Sequence, residues 1–289
     1  MAEMLVLRGL PGSGKSTIAA RYVSQGYFRV NKDDLREAHP KANERWIHEH
    51  QMTLIGKAIE RGESIVVDNT NLNQRTVNEY QRIAEHAGYE FSALTVQTPW
   101  TECILRDLDR KNKGERYVGR SVIFRMAVES GRVESTKEDF TLAGKHVVIF
   151  DIDGTLANTD HRQHFMTGEK KDWKGFFENM SNDTPYEDIV ALAVDAAAQS
   201  NVVLIVSGRP EKYRRETEEW LDRYRVPYAF LFMRGFNDNR QDNIVKEEIY
   251  RKYIEPFFNV KYVYDDRQQV VDMWRRIGLR CLQVAPGDF

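Results

Sequence analysis

Cysteine is nearly absent: Cys103 and Cys281 are the only two in 289 residues, they stand in opposite halves of the chain, and neither has other metal-ligating residues at a usual spacing. That excludes a disulfide framework and leaves a zinc site without support, so both are expected to be buried thiols. Long apolar runs are missing too. None approaches the roughly 18 residues of a membrane span, and Met1 leads into Ala2 and Glu3 rather than a basic stretch and a cleavage site. A cytoplasmic protein with no membrane partner is expected. A basic excess is also lacking, since the net charge is −2, so contact with a polyanion has to come from local patches. There is no internal repeat or low-complexity tract. What remains, 41% hydrophobic and 30% charged over this length, suits two ordinary domains with separate cores.

Short β-rich apolar runs alternate with amphipathic helical patterns in both halves. MLVLRG (4–9), YFRVN (27–31), SIVVDNT (64–70) and EFSALTVQ (90–97) form a first series. HVVIF (146–150), NVVLIVS (201–207), AFLFM (229–233) and VKYVYD (260–265) form a second. This rhythm predicts α/β architecture, with two domains that are each a mostly parallel sheet flanked by helices. The polar stretch from Arg132 to Lys145 divides them, giving expected domains 1–141 and 146–289. Between Ala157 and Pro185 lies a polar, aromatic-bearing insert too long for a usual strand-to-helix loop, expected to be functional or cap material.

Gly9 to Ser16 read G-L-P-G-S-G-K-S, directly after an apolar strand and directly before a helical pattern. This is a full Walker A sequence in its required context. Gly9, Gly12, Ser13 and Gly14 let backbone N–H groups wrap a phosphate, Lys15 reaches the β- and γ-phosphates, Ser16 can ligate Mg²⁺, and Thr17 continues the loop. The motif says nucleoside triphosphate without saying which enzyme. N-K-D-D at 31–34 matches a guanine-binding motif but comes too early for one, closing instead the strand after the P-loop helix. A carboxylate there can take the proton of an attacking hydroxyl, which makes Asp33 the candidate general base and Asp34 the expected helix N-cap, unless both merely cap the helix. Asp68 ends SIVVD, where a sheet presents side chains to a ligand, and is expected to orient the acceptor or the metal shell. Arg106 and Arg110, four apart in a helical pattern, suit a lid that neutralises the transferring phosphoryl group; a solvated helix face is the alternative.

The second motif is Asp151-Ile152-Asp153-Gly154-Thr155-Leu156 after VVIF, the D-x-D-G-T signature of haloacid-dehalogenase-like phosphatases. Asp151 suits a nucleophile that forms an aspartyl phosphate, and Asp153 an acid that protonates the leaving alkoxide and later activates water. Companions follow in order: Ser207 with Arg209 for the phosphate, Lys246 to hold nucleophile and phosphoryl group, and Asp265-Asp266 at the end of a strand. Asp151, the Asp153 backbone carbonyl and the acidic pair supply hard oxygen ligands for Mg²⁺.

Taken together, G-L-P-G-S-G-K-S-T, N-K-D-D-L-R, D-N-T-N-L-N, P-W-T-E, D-I-D-G-T-L-A, V-S-G-R, V-K-E-E-I, D-D-R-Q-Q-V-V-D-M-W-R-R-I-G and the terminal G-D-F resemble the T-even-phage type of polynucleotide 5′-kinase/3′-phosphatase, over nearly the whole chain and in the same order. The resemblance implies a P-loop kinase fold followed by a Rossmannoid phosphatase fold with a small cap. It implies ATP as donor and Mg²⁺ as cofactor, single-stranded or nicked RNA or DNA ends as substrates, a ligase as functional partner, a homotetramer, and the cytoplasm of an infected cell if the source is a phage. For the kinase it marks Lys15 and Ser16 for the donor, Asp33 as base, Arg36 and Asp68 for the acceptor and Arg110 as lid arginine, with Arg106 one turn before it expected beside the nucleotide. For the phosphatase it marks Asp151, Asp153, Lys246, Asp265 and Asp266, with Ser207, Gly208, Arg209, Arg234 and Arg267 around the phosphate and Asp242 beside them.

Two stretches depart from the family pattern. The insert from Asn158 to Asp183, with His161, His164, Trp173, Phe176 and Phe177, is longer than its counterpart; its aromatics suit either a small cap core or a stacking platform for bases. The segment 111–120 matches loosely, and Arg106, Arg110, Lys111, Lys113, Arg116, Arg120 and Arg125 suit either a phosphate-tracking patch or a solvated face. Two other functions use the same motifs: a metabolic kinase and phosphatase pair acting on a small hydroxyl compound, and a nucleotide-switched binding protein with no acceptor.

Overall fold

In the computed structural model, which describes residues 2–133, 146–167 and 170–287, the chain divides into two units, Met1–Val133 and Glu134–Phe289. Residues 134–145, where the sequence places the domain boundary, and the last two residues of the G-D-F terminus lie outside the described residues.

In the first unit the apolar runs become β1 (Glu3–Arg8), β2 (Phe28–Val30), β3 (Ile65–Asp68) and β4 (Glu90–Thr95), a parallel sheet in the order β2-β3-β1-β4. Every residue of Ile-Val-Val-Asp in β3 is buried, as a strand covered on both faces must be. The helices are α1 (Lys15–Val23), α2 (Lys32–Ala38), α3 (Glu44–Glu60), α4 (Gln74–His86), α5 (Trp100–Asn112) and α6 (Arg120–Glu129). Three start on an asparagine whose side chain accepts from the first-turn N–H groups: Asn31 for α2, Asn43 for α3 and Asn73 for α4. In α4, Val77, Tyr80 and Ala84 are buried on one face, and Tyr80 and Ala84 join Met4, Val6, Ile65 and Val67 in a core on one side of the sheet. Leu5, Leu7, Val66 and Ala19 of α1 fill the other side.

The second unit carries β5 (Val147–Phe150), a two-residue pair β6 (Ala157–Asn158) and β7 (Thr184–Pro185), then β8 (Val202–Pro210), β9 (Phe230–Arg234), β10 (Val260–Arg267) and β11 (Cys281–Gly287). Its five main strands run parallel in the order β11-β10-β5-β8-β9, so β5 is central. The helices are α7 (Trp173–Glu178), α8 (Glu187–Ala198), α9 (Arg214–Arg223), α10 (Asp242–Ile249) and α11 (Gln268–Arg276). Phe150, Ile205, Leu231 and Trp220 lie in one continuous core. The order sets Asp151 just past the end of β5 and Ser207 and Asp265 in the C-terminal parts of its neighbours β8 and β10, toward the carboxyl edge where a parallel sheet receives ligands. The insert forms a 3-10 turn (Asp160–Met166) and α7, clipped at its root by β6 pairing with β7. Cys103 and Cys281 are both buried free thiols, and burial pushes Cys281 up to about 12. Among the described residues no helix is long and apolar enough to cross a membrane.

Candidate active sites

The P-loop closes on its own lysine. Gly12 and Gly14 take positive φ, and a Cβ on Gly12 would stand 2.7 Å from the Cys103 carbonyl oxygen, so only glycine permits that turn. Lys15 Nζ donates to the carbonyl oxygens of Gly9 at 3.0 Å and Leu10 at 2.8 Å, with Ser13 Oγ at 3.5 Å. Burial lowers its pKa to about 8, opposed by the Asp68 carboxylate. Ser16 and Thr17 are exposed in the first turn of α1, where unpaired helix N–H groups favour an anion. Arg106 Nη1 donates to the Gly12 carbonyl at 3.2 Å and Nη2 pairs with Glu102, while the charge of Arg110 is felt at Lys15.

Asp33 lies in the first turn of α2, exposed, its Oδ1 2.5 Å from Arg36 Nη1 and 2.9 Å from Arg116 Nη2. The N-cap is Asn31 rather than Asp34: its Oδ1 accepts from the N–H groups of Asp33 and Asp34, and Asp34 instead pairs with Arg29. Asn31, three positions earlier, has the extended backbone a cap requires, whereas Asp34 is already helical. Asn31 Nδ2 also reaches the Asp68 carbonyl oxygen, and Arg29 holds the buried Asp68 carboxylate through Nε at 2.9 Å and Nη2 at 2.7 Å. Lys32 N donates to Asn69 Oδ1. Arg36 is shared with Glu44, at 2.8 Å from Nε. Within α5, buried Asp107 accepts from the N–H groups of Val118 and Gly119, which fixes the return of the segment that follows the helix. Of the cations in this stretch, Arg106 and Lys113 are paired with acids four residues away.

In the second unit Lys246, fully buried, lies 2.8 Å from Asp151 Oδ1, 2.9 Å from Asp265 Oδ2 and 3.6 Å from Asp242 Oδ2. Burial and the neighbouring carboxylates push Asp151 well above the usual range against the pull of Lys246. Asp266 is pushed up to about 7, by burial and then by Asp265. One oxygen from each of Asp151, Asp265 and Asp266 lies within 4.8 Å of the others. An all-oxygen set of crowded carboxylates on a single buried lysine fits a hard divalent cation such as Mg²⁺, which would relieve their repulsion. Gly154 is required beside it: at φ +84° a Cβ would fall 2.1 Å from Asp266 Oδ2.

Asp153 faces two buried arginines. Burial would raise its carboxyl, but Arg209, at 2.6 Å, and then Arg162, at 2.5 Å, hold it well below the usual carboxylate range. Both arginines also bind the buried carboxylate of Asp183, which accepts from Arg162 Nε and Nη2 and from Arg209 Nη2, with His161 Nε2 at 2.9 Å. Arg209 keeps one buried nitrogen, Nη1, with no partner, an open donor for a phosphate oxygen. Ser207 Oγ accepts from Arg209 N. Arg234 donates from Nε to the Gly208 carbonyl and from Nη2 to Asp242, and a Cβ on Gly208 would strike Asp242 at 2.3 Å. Arg267 N donates to Asp265 Oδ1 and caps α11.

The sequence passed over Arg29, Arg162 and Asp183, and read Asn31 only as part of a motif and Arg116 only as part of a basic patch. Arg29 had a signal, a charge inside a short strand. Arg162 and Asp183 had none, because Arg162 reaches Asp153, and Asp183 braces both arginines, only once the insert folds back through β6 and β7.

The model of the polynucleotide kinase PNKP phosphatase domain matches residues 145–289, half of the chain. The chain belongs to this polynucleotide kinase phosphatase family. Residues 4–129 match an AAA domain. A protein of Autographa californica nuclear polyhedrosis virus, described as a bifunctional polynucleotide kinase/RNA ligase, is 27% identical over 94% of this chain and 41% of its own length. The bifunctional polynucleotide phosphatase/kinase of Schizosaccharomyces pombe is 32% identical over 40% of this chain and 25% of its own. The chain thus spans less than half the length of these relatives. A chain in the structure of the Pnkp1/Rnl/Hen1 RNA repair complex is 28% identical, covered at 100% of this chain and 97% of that one, with a TM-score of 0.45.

Proposed function

We propose that the chain heals broken polynucleotide ends with two separate phosphoryl-transfer sites, in a first domain 1–141 and a second domain 146–289. The first transfers the γ-phosphate of ATP to a 5′-hydroxyl of RNA or DNA, and the second hydrolyses a 3′-phosphate, leaving ends that a ligase can join. The observation that carries the reading is Asp151 lodged between Lys246 and the acidic pair Asp265-Asp266, in a chain whose other unit holds a complete phosphate-binding loop.

In the second site Asp151 attacks phosphorus, the bond from phosphorus to the 3′-oxygen breaks, and Asp153 gives that oxygen a proton. Water, deprotonated by Asp153, then cleaves the aspartyl phosphate and restores Asp151. Held by two arginines, Asp153 is ionised before substrate arrives. A phosphate on the open Nη1 of Arg209 spends that arginine's charge and raises Asp153 toward the protonated form the acid step needs. Mg²⁺ on Asp151, the Asp153 carbonyl, Asp265 and Asp266 would neutralise charge on the phosphoryl oxygens. Lys246 keeps Asp151 in place, and Ser207, Gly208 and Arg209 receive the phosphate, with Arg234 and Arg267 supporting them.

In the first site Asp33 removes the proton from the 5′-hydroxyl as that oxygen displaces ADP from the γ-phosphate, with Arg36 and Asp68 placing the acceptor. Gly9, Gly12, Ser13, Gly14, Lys15, Ser16 and Thr17 hold the donor phosphates, Ser16 the accompanying Mg²⁺, and Arg106 and Arg110 the charge developing on the phosphoryl group. The test compares acceptors: with ATP and Mg²⁺ the protein should phosphorylate a 5′-hydroxyl oligonucleotide and dephosphorylate a 3′-phosphate oligonucleotide. Turnover confined to nucleosides and sugar phosphates would replace this reading with a metabolic pair of activities.

A further inference from the structure

The insert that buries Arg162 also builds an aromatic surface that the phosphatase chemistry does not use. Phe176 is buried, and the Arg162 guanidinium lies over its ring at 4.0 Å. Phe177, half-buried, crosses Phe176 edge-on at 5.4 Å. Its ring is nearly parallel to Trp173, with centroids 5.9 Å apart and 21° between planes, and meets Tyr213 at 5.6 Å and 33°. Tyr213 stands four residues after Arg209, just past the end of the strand that carries that arginine to Asp153. Trp173, at its far end, is 47% exposed.

A cap core explains Phe176 but not Trp173, because a large aromatic left half in water contributes little to a core. The surroundings point to a polyanion with flat faces. Lys171 Nζ lies 5.8 Å from the Trp173 ring centre and Lys212 Nζ 4.6 Å from that of Tyr213, so both ends of the row carry a cation. Exposed Lys170 adds a further charge, whereas Lys174 is spent on Glu178 at 3.8 Å. Rings in sequence, flanked by cations and leading from a phosphate site, suit stacked bases with their backbone alongside.

We propose that Tyr213, Phe177 and Trp173 form a stacking platform for the bases next to the 3′-phosphate of a single-stranded polynucleotide. This rests on the second unit being a polynucleotide 3′-phosphatase. Single strands are specified because the base faces of a duplex are already stacked on one another. Sequence preference should be weak, since every base offers such a face.

The test measures binding by fluorescence anisotropy in an Asp151→Asn background, which blocks turnover. Two strands ending in a 3′-phosphate are compared, one with ordinary bases and one whose last nucleotides are abasic. Adding Trp173→Ala should weaken binding of the base-bearing strand by about tenfold, the factor one stacked base carries, and Trp173→Phe should recover most of it. On the abasic strand the same change should cost less than about twofold. An equal loss on both strands, or no loss on the base-bearing strand, would make Trp173 part of the cap's own packing and overturn the platform. Failure of the Asp151→Asn protein to bind either strand would overturn the 3′-phosphatase reading itself, before any change at Trp173.

Discussion

Lys15 is a cation held against its own solvation. Its buried ammonium is satisfied by two loop carbonyls and titrates near 8, because burial disfavours the charged form more than Asp68 favours it. Binding of ATP requires the ammonium, so above pH 8 the ligand-free protein must first take up a proton. Affinity for ATP should therefore be flat below that pH and fall above it, approaching tenfold per pH unit. Calorimetric titrations from about pH 7 to about pH 9.5 check this, and a constant affinity with no proton uptake would contradict it. Gly154→Ala is the corresponding test of the second site. The added Cβ meets Asp266 at 2.1 Å on a backbone with φ +84°, so either the turn or the carboxylate has to move. Hydrolysis of a 3′-phosphate should drop by at least about a hundredfold, as expected when machinery acting as a unit is displaced. The glycines, the lysine and the paired aspartates were legible in the sequence because their spacing is local. Arg162 and Asp183 were not, since a contact closed by a folded insert leaves no periodic trace.

Strands and helices were the easier reading. Buried runs such as Ile-Val-Val-Asp and Val-Val-Ile-Phe are apolar on both faces and bounded by turns, which is what a covered parallel strand must be. β11 escaped because Cys281–Gly287 mixes polar and apolar residues and ends in Pro286 and Gly287, which read as a loop, yet it supplies an edge strand of the second sheet. The capping of α2 was misassigned by three positions, from Asn31 to Asp34, because both residue types cap well and only the backbone distinguishes them. That cap joins folding to function. Asn31→Ala removes the acceptor for two N–H groups and the donor to the Asp68 carbonyl, so it should lower stability by about 1–2 kcal/mol. It should also reduce 5′-phosphorylation, because Asp33 and Asp68 lose their common brace. A thermal melt and a kinase assay on the same sample check both, and an unchanged kinase rate would detach the cap from the site.

Each unit has its own sheet, its own core and its own strand-end candidate site, so the two proposed activities should be separable by single substitutions. Asp33→Asn removes the proposed base of the first site without touching Asp151, and Asp151→Asn removes the nucleophile of the second without touching the phosphate-binding loop. Mg²⁺ is proposed at both, and an excess of chelator should silence both together. The homotetramer implied by the resemblance is a separate matter, settled by light scattering. The most direct measurement uses one oligonucleotide bearing a 5′-hydroxyl and a 3′-phosphate, incubated with labelled ATP and Mg²⁺. The native protein should label the 5′ end and release phosphate from the 3′ end, Asp33→Asn should lose only labelling, and Asp151→Asn should lose only release. If either substitution abolishes both activities, or if neither end changes while a small hydroxyl compound is phosphorylated, the account of two end-healing sites is wrong.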